Sequence, residues 1–227
     1  MINYIFDVDG TLTPSRGVID PTFKEFFIDF CNNNHVTLVT GSDRAKTIEQ
    51  IGYNVYLACR RVYNCSGNDV YEGDKNISFS EWYLPVEAEQ FLLKVLKESS
   101  WLGKTGKHIE HRTGLVNFSV VGRNANSSQR KKYYEWDCEI GQRINIANRF
   151  NETFPDLEAD VGGETGVDIF ERGKNKGQIL KDFDIDNIQF YADRTDEKGN
   201  DYAIARLLKP EQVYTVQSWV DTWSLIQ

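Results

Sequence analysis

Residues 2–13 read Ile2-Asn3-Tyr4-Ile5-Phe6-Asp7-Val8-Asp9-Gly10-Thr11-Leu12-Thr13. An apolar run suited to a strand stops at two carboxylates, and Gly10 marks the turn beyond them. Asp7 and Asp9 share parity, so both side chains leave the same face at the C-terminal edge of the strand. In an open α/β sheet that edge is where ligands bind. Two like charges this close are costly when buried unless something neutralises them. An arbitrary pair of strand-end acids is solvated and inert. A pair followed by Gly-Thr-Leu-Thr is far more specific, and a metal cation is its natural neutraliser.

The next elements continue an α/β rhythm. Asp20-Pro21 offers an N-cap and a first-turn proline. Phe23, Phe26, Phe27 and Phe30 then recur at helical spacing, which predicts a helix over 21–33 with an inward aromatic face. Residues 35–41, His-Val-Thr-Leu-Val-Thr-Gly, read as a second strand, and Ser42 as the cap of a helix reaching about Gly52. Residues 53–75 read as short strand-like pieces separated by Gly67 and Gly73.

Near residue 76 the pattern changes. Residues 84–99 predict a helix with Val86, Phe91, Leu92, Val95 and Leu96 on one side. In the strand that follows, Val116, Phe118 and Val120 alternate with Leu115, Asn117 and Ser119. This suggests an antiparallel sheet with one face buried and one open to ligand or solvent. Residues 127–154 read as largely helical, and 157–171 as strands turning at Gly162-Gly163. From 173 onward the strand–helix alternation returns. The expected fold is therefore α/β, a doubly wound, Rossmann-like parallel-sheet core over 1–75 and 173–227, with an α+β cap over 76–172 inserted in it.

The chain has 227 residues and a net charge of −8, which argues against general nucleic-acid binding. Residues 101–150 nevertheless hold nine Lys/Arg against four acids, a local +5 that leaves −13 for the remainder. A basic middle in an acidic chain points to an anionic ligand met by that region. Cys31, Cys59, Cys65 and Cys138 have no C-x-x-C spacing and read as buried thiols of a reducing compartment. No leader is expected before the first strand, and no apolar run reaches membrane-spanning length. The expectation is a cytoplasmic protein with no membrane partner.

Four separate pieces converge on the sheet edge. Asp7 and Asp9 end the first strand. Thr40-Gly41-Ser42-Asp43 ends the second, placing hydroxyls beside a helix N-terminus suited to an anion. Lys176 opens the returning core, where it can pair with phosphate or with Asp7. Asp193 ends another strand, with Asn200-Asp201 a short loop later. In this order they describe a magnesium-dependent phosphoryl-transfer site.

The set resembles the haloacid dehalogenase superfamily and, within it, the eukaryotic-type phosphomannomutases. The likeness covers most of the chain: Asp7 to Pro14 with Arg16, Gly41-Ser42-Asp43, and Arg112-x-Gly114-x-x-Asn117-x-Ser119-x-x-Gly122-Arg123. It continues through Arg130 with Tyr133-Tyr134-Glu135-x-Asp137, Gly162-Gly163, Asp168-x-Phe170, Lys176, Asp193-x-Thr195 and Gly199-Asn200-Asp201. The opening motif belongs to the whole superfamily, and the arginine set is particular to the mutases.

The resemblance implies that Asp7 is the nucleophile, taking the phosphoryl group as an aspartyl phosphate, and Asp9 the general acid/base. It implies Mg²⁺ held by Asp7, the Asp9 carbonyl and Asp193, with Asp201 in support. Thr40, Ser42 and Lys176 would hold the transferring oxygens. In the cap, Arg112, Arg123 and Arg130 would grip the non-reacting phosphate, helped by Arg16 from the core, and Asp168 would contact sugar hydroxyls. The implied reaction interconverts hexose 6-phosphate and hexose 1-phosphate, with hexose 1,6-bisphosphate as intermediate and activator. A phosphosugar substrate and a homodimer through the cap complete the picture.

Some positions depart from the family. Gly166 stands where a substrate-contacting serine is usual, Cys65-Ser66-Gly67 replaces Glu-Asn-Gly, and Ala192 replaces a glycine. These departures keep a second reading open, a Mg-dependent capped sugar-phosphate phosphatase. A third, a non-catalytic phosphosugar-binding module, would have no use for the acid/base pair.

Overall fold

The structure, a computed structural model, describes residues 2–15, 17–197 and 199–227. Strand β1 (Asn3–Phe6) passes through the 7–13 loop to helix α1 (Pro21–Asn33). The Asp20 carboxylate caps α1, accepting from Thr22 N at 2.9 Å and Phe23 N at 3.1 Å. Phe23 and Phe27 are fully buried, while Phe26 and Phe30 pack at the margin of the same cluster. Strand β2 (His35–Val39) follows, then α2 (Arg44–Ile51) and α3 (Tyr53–Ala58).

Two elements differ from the sequence expectation. The cap of α2 is Asp43, which accepts from Lys46 N at 2.8 Å, and Ser42 lies one residue outside it. Residues 53–58 are helical, because Gly52 at φ +81 turns the chain at the end of α2 and lets a new helix start at once. The chain then forms β3 (Arg61–Asn64), β4 (Asp69–Glu72) and β5 (Lys75–Phe79).

The inserted segment contains α4 (Val86–Glu98), β6 (Ile109–Arg112), β7 (Leu115–Phe118), α5 (Ser127–Ile140), α6 (Gln142–Thr153), β8 (Leu157–Gly162) and β9 (Gly166–Glu171). A 3₁₀ segment, Lys176–Asp182, leads back to β10 (Ile188–Ala192), α7 (Tyr202–Ala205), β11 (Val213–Thr215) and α8 (Trp219–Ile226). No helix among the described residues is long and apolar enough to cross a membrane.

The chain divides into two compact units, 1–80 with 174–227, and 81–173. The first is built on a sheet in the order β11-β10-β1-β2-β3-β4-β5. Strands β11, β10, β1, β2 and β3 are parallel, and β4 and β5 fold back as antiparallel neighbours. Because β5 pairs with β4, this unit runs on to residue 80, past the expected break at 75. The ends of β1, β2 and β10 fall side by side, so residues 7, 40 and 193 share one edge.

The second unit is an antiparallel sheet, β6-β7-β9-β8, packed on α4, α5 and α6. Leu92 and Val95 of α4 are buried as the helical spacing predicts, but Val86 is exposed in its first turn. Strand β7 was expected to leave one face open. Instead Leu115 and Asn117 are buried along with Val116 and Phe118. Asp168 of β9 and Arg123, from the turn after β7, bond to the Asn117 side chain. Cys31, Cys59 and Cys65 are buried as expected; Cys138 is exposed on α5, a correction to the reading of all four as core thiols.

Candidate active site

At the sheet edge of the first unit, Lys176 Nζ donates to Asp7 Oδ1 and to Asp201 Oδ1, each at 2.6 Å. The lysine side chain is 2% exposed, and those of Asp7 and Asp201 are 5% and 0%. Asp193 joins them: Asp7, Asp193 and Asp201 each offer a carboxylate oxygen, all within 4.8 Å of one another. Gly10 makes the approach possible. Its φ of +82 carries the chain through the turn, and a Cβ there would meet Asp193 Oδ2 at 2.5 Å.

The charges in this cluster do not balance. Two buried carboxylates, Asp7 and Asp201, and the half-buried Asp193 face one buried ammonium. Burial pushes the Asp7 carboxyl well above its ordinary range, Lys176 opposes this, and Asp201 and Asp193 add to it. Burial, then Asp201, push Asp193 up to about 6. For Lys176, burial works against the charge, but Asp201 and Asp7 outweigh it and hold the lysine protonated. A divalent cation would supply the missing positive charge, and an all-oxygen donor set suits Mg²⁺. The residues present fit the cation.

Asp9 stands beside this cluster, tied to α2: Gln50 Nε2 donates to Asp9 Oδ1 at 2.9 Å. Thr40 is buried at the end of β2, and its hydroxyl accepts from Ser42 N at 3.1 Å. Two further bonds hold that loop, Cys65 N to Ser42 O at 2.9 Å and Ser66 N to Thr40 O at 2.8 Å. Making them puts Cys65 and Ser66 at φ +49 and +60, strained backbone for two consecutive non-glycine residues.

The second unit gathers a different set. Glu110 sits between two arginines, accepting from Arg112 Nε at 2.7 Å on Oε1 and from Arg123 Nε at 2.7 Å on Oε2. Arg123 also donates to Asn117 Oδ1 at 3.2 Å, and Asn117 Nδ2 to Asp168 Oδ1 at 2.6 Å. The register explains this. Glu110 lies opposite Asn117, and Asn117 opposite Asp168, across β6, β7 and β9. Arg130 of α5 pairs with Glu164, at 3.5 Å. Arg16 lies outside the described residues.

The structure thus brings Asp7, Asp193, Asp201 and Lys176 together, with Asp9 alongside, and separately Arg112, Arg123 and Asp168. Gln50 and Glu110 went unnoticed in the sequence. A buried glutamine in a helix looks like any surface glutamine, although Thr47, Gln50 and Ile51 share the inward face of α2. Glu110 lies two residues before Arg112 on the same strand, and that parity was the available signal.

The architecture, a parallel sheet with an inserted α+β unit, is a fold shared with haloacid dehalogenase-like proteins. A haloacid dehalogenase-like hydrolase from Bacteroides thetaiotaomicron has the same fold, with a TM-score of 0.63 at 11% identity over 99% of this chain and 98% of that one. The sequence goes further. The chain belongs to the eukaryotic phosphomannomutase family, whose model matches residues 23–227. It is 31% identical over 211 residues to a phosphomannomutase of Saccharomyces cerevisiae, covering 88% of this chain and 83% of that one. It is 30% identical over 237 residues to phosphomannomutase 1 of Dictyostelium discoideum, covering 96% and 92%.

Proposed function

We propose that this chain is a phosphomannomutase, interconverting hexose 1-phosphate and hexose 6-phosphate through a phosphorylated enzyme. The observation that carries the reading is the cluster of buried Asp7, Lys176 and Asp201 with half-buried Asp193 in a member of this family.

Asp7 Oδ attacks phosphorus, the bond from phosphorus to the sugar oxygen breaks, and Asp9 gives that oxygen its proton. In the reverse sense Asp9 takes the proton from the sugar hydroxyl that attacks the aspartyl phosphate. Lys176, kept protonated by its two carboxylates, faces the charge on the transferring oxygens, with Thr40 and Ser42 as further donors. Asp7, Asp193, Asp201 and the Asp9 carbonyl would hold Mg²⁺, which when bound offsets the charge of phosphate and carboxylate.

Arg112, Arg123 and Arg130 hold the phosphate that is not reacting, the use to which planar, bidentate guanidinium donors are best suited. Asp168 orients sugar hydroxyls. The division of labour follows the two units: 1–80 with 174–227 carries the chemistry, and 81–173 binds the substrate. The same reading includes hexose 1,6-bisphosphate as activator, a cytoplasmic location, and a homodimer through the inserted unit that sedimentation would detect. Gly166, which lacks the hydroxyl of the usual serine, is the one observation favouring a sugar-phosphate phosphatase instead.

The phosphoenzyme is the direct test. After incubation with hexose 1,6-bisphosphate and acid quench, borohydride reduction should convert residue 7 alone to homoserine, read by mass spectrometry. A label elsewhere, or none, would remove Asp7 from the nucleophile's role.

A further inference from the structure

Gln50 is 1% exposed in the last turn of α2 and reaches the loop that carries Asp9. Its Nε2 donates to Asp9 Oδ1 at 2.9 Å and, more weakly, to Thr13 Oγ1 at 3.4 Å. Thr13 is itself bound to the same loop. Its hydroxyl donates to Val8 O at 3.3 Å, its carbonyl accepts from Gly10 N at 2.8 Å, and it bridges Asp9. One amide therefore ties together the Asp9 carboxylate and the turn behind it.

The other end of the same amide is unsatisfied. Gln50 Oε1 is buried with no hydrogen-bond partner among the described residues. A buried carbonyl left in this state is costly, and an apolar side chain of equal length would avoid the cost. The orientation of the amide is therefore explained by the bond it makes to Asp9 and not by its own hydrogen-bonding needs. Gln50 is one of the groups that hold the Asp9 carboxylate, and a proton carrier works only when held within a fraction of an ångström of its path.

We propose that Gln50 is a positioning residue for Asp9, helping to fix its carboxylate for proton transfer to and from the sugar oxygen. The inference rests on the acid/base role given to Asp9 above, and it assigns that role's support to a residue on a neighbouring helix.

The test exploits the leaving group. Phosphoryl transfer from p-nitrophenyl phosphate expels a stabilised phenolate and needs no proton, whereas transfer to or from a sugar hydroxyl does. In the Mg²⁺-loaded full chain, kcat/KM is measured on hexose 1-phosphate with bisphosphate present, and on p-nitrophenyl phosphate, for wild type, Asp9→Asn and Gln50→Met. Gln50→Met should lose about 10- to 100-fold on the sugar phosphate, the range seen for outer-shell partners, and little on p-nitrophenyl phosphate. Asp9→Asn should show the same selectivity, more strongly. If Gln50→Met falls equally on both substrates, or on neither, Gln50 is structural and the inference is overturned. Should Asp9→Asn itself prove unselective, the acid/base reading beneath it fails instead. Gln50→Leu repeats the comparison if the methionine variant does not fold, and a thermal midpoint near wild type certifies either.

Discussion

Lys176 Nζ lies 2.6 Å from Asp7 Oδ1, an ion pair closed across 169 positions of sequence and almost wholly shielded from water. Each partner depends on the other. An isolated charge at this depth is far more costly than the pair, and Asp201 is bound to the same ammonium.

Removing that ammonium is accordingly expected to be severe. Lys176→Met leaves three carboxylates without a buried cation and should cost about 3–5 kcal/mol of stability in chelator, as breaking other buried pairs does. Urea denaturation measures it. A loss below about 1 kcal/mol would mean that the cluster is solvated and the pairing incidental.

Mg²⁺ should bind this cluster with a distinctive pH dependence. Burial and Asp201 push Asp193 up to about 6, against an ordinary value of 3.8. A raised carboxyl contributes stability that is full below about 3.8 and is lost as pH rises through about 6. In chelator, Asp193→Asn removes that penalty. The variant should melt higher than wild type at pH 7, with the gain shrinking toward pH 4, and its melting point should no longer respond to Mg²⁺. Destabilisation at pH 7 in chelator would contradict the assignment.

Glu110 should behave in the opposite sense. Burial alone would raise its carboxyl, but Arg112 and Arg123 outweigh burial and hold it below the ordinary glutamate value of 4.5. Its contribution to stability is therefore present above about 4.5 and is lost as pH falls through its lowered value. Glu110→Gln should be less stable than wild type by about 1–3 kcal/mol at pH 7, the worth of charge-assisted bonds. The two proteins should converge as the pH is taken well below 4.5. A difference independent of pH would point to packing rather than charge.

Gly166→Ser, which restores the hydroxyl usual in the family, should harm this chain. A Cβ at 166 would collide with Asn117 Nδ2, the atom that donates to Asp168 at 2.6 Å. Displacing Asn117 leaves buried polar groups unmatched, at about 1–3 kcal/mol, and releases Asp168 from its position. The substitution should lower the melting point and raise the KM for hexose phosphate. An unchanged melting point with a lowered KM would show that Asn117 yields easily and that the serine was simply missing.

Much of the candidate site was legible because it is local. Asp7, Asp9 and Gly10 stand within four residues, and strand parity places both acids on one edge. Asp20-Pro21 and the phenylalanine spacing delimit α1 for the same reason. What escaped depends on partners distant in sequence. The polar face of β7 is closed by Glu110 and Arg123 on one side and Asp168 on the other, and alternation within β7 cannot show that its neighbours carry such groups. Residues 53–58 have strand-forming side chains but fold as a helix, since Gly52 and packing on α1 override propensity. Gln50 is invisible without the fold that buries it.

The measurement that bears most directly on the central claim is ³¹P NMR of the Mg²⁺-loaded protein with mannose 1-phosphate or glucose 1-phosphate and a trace of the hexose 1,6-bisphosphate. The account predicts that the 1-phosphate resonance is replaced by that of the 6-phosphate, with inorganic phosphate appearing much more slowly. Stoichiometric release of inorganic phosphate with no 6-phosphate formed, bisphosphate present, would contradict it and leave a phosphatase in its place.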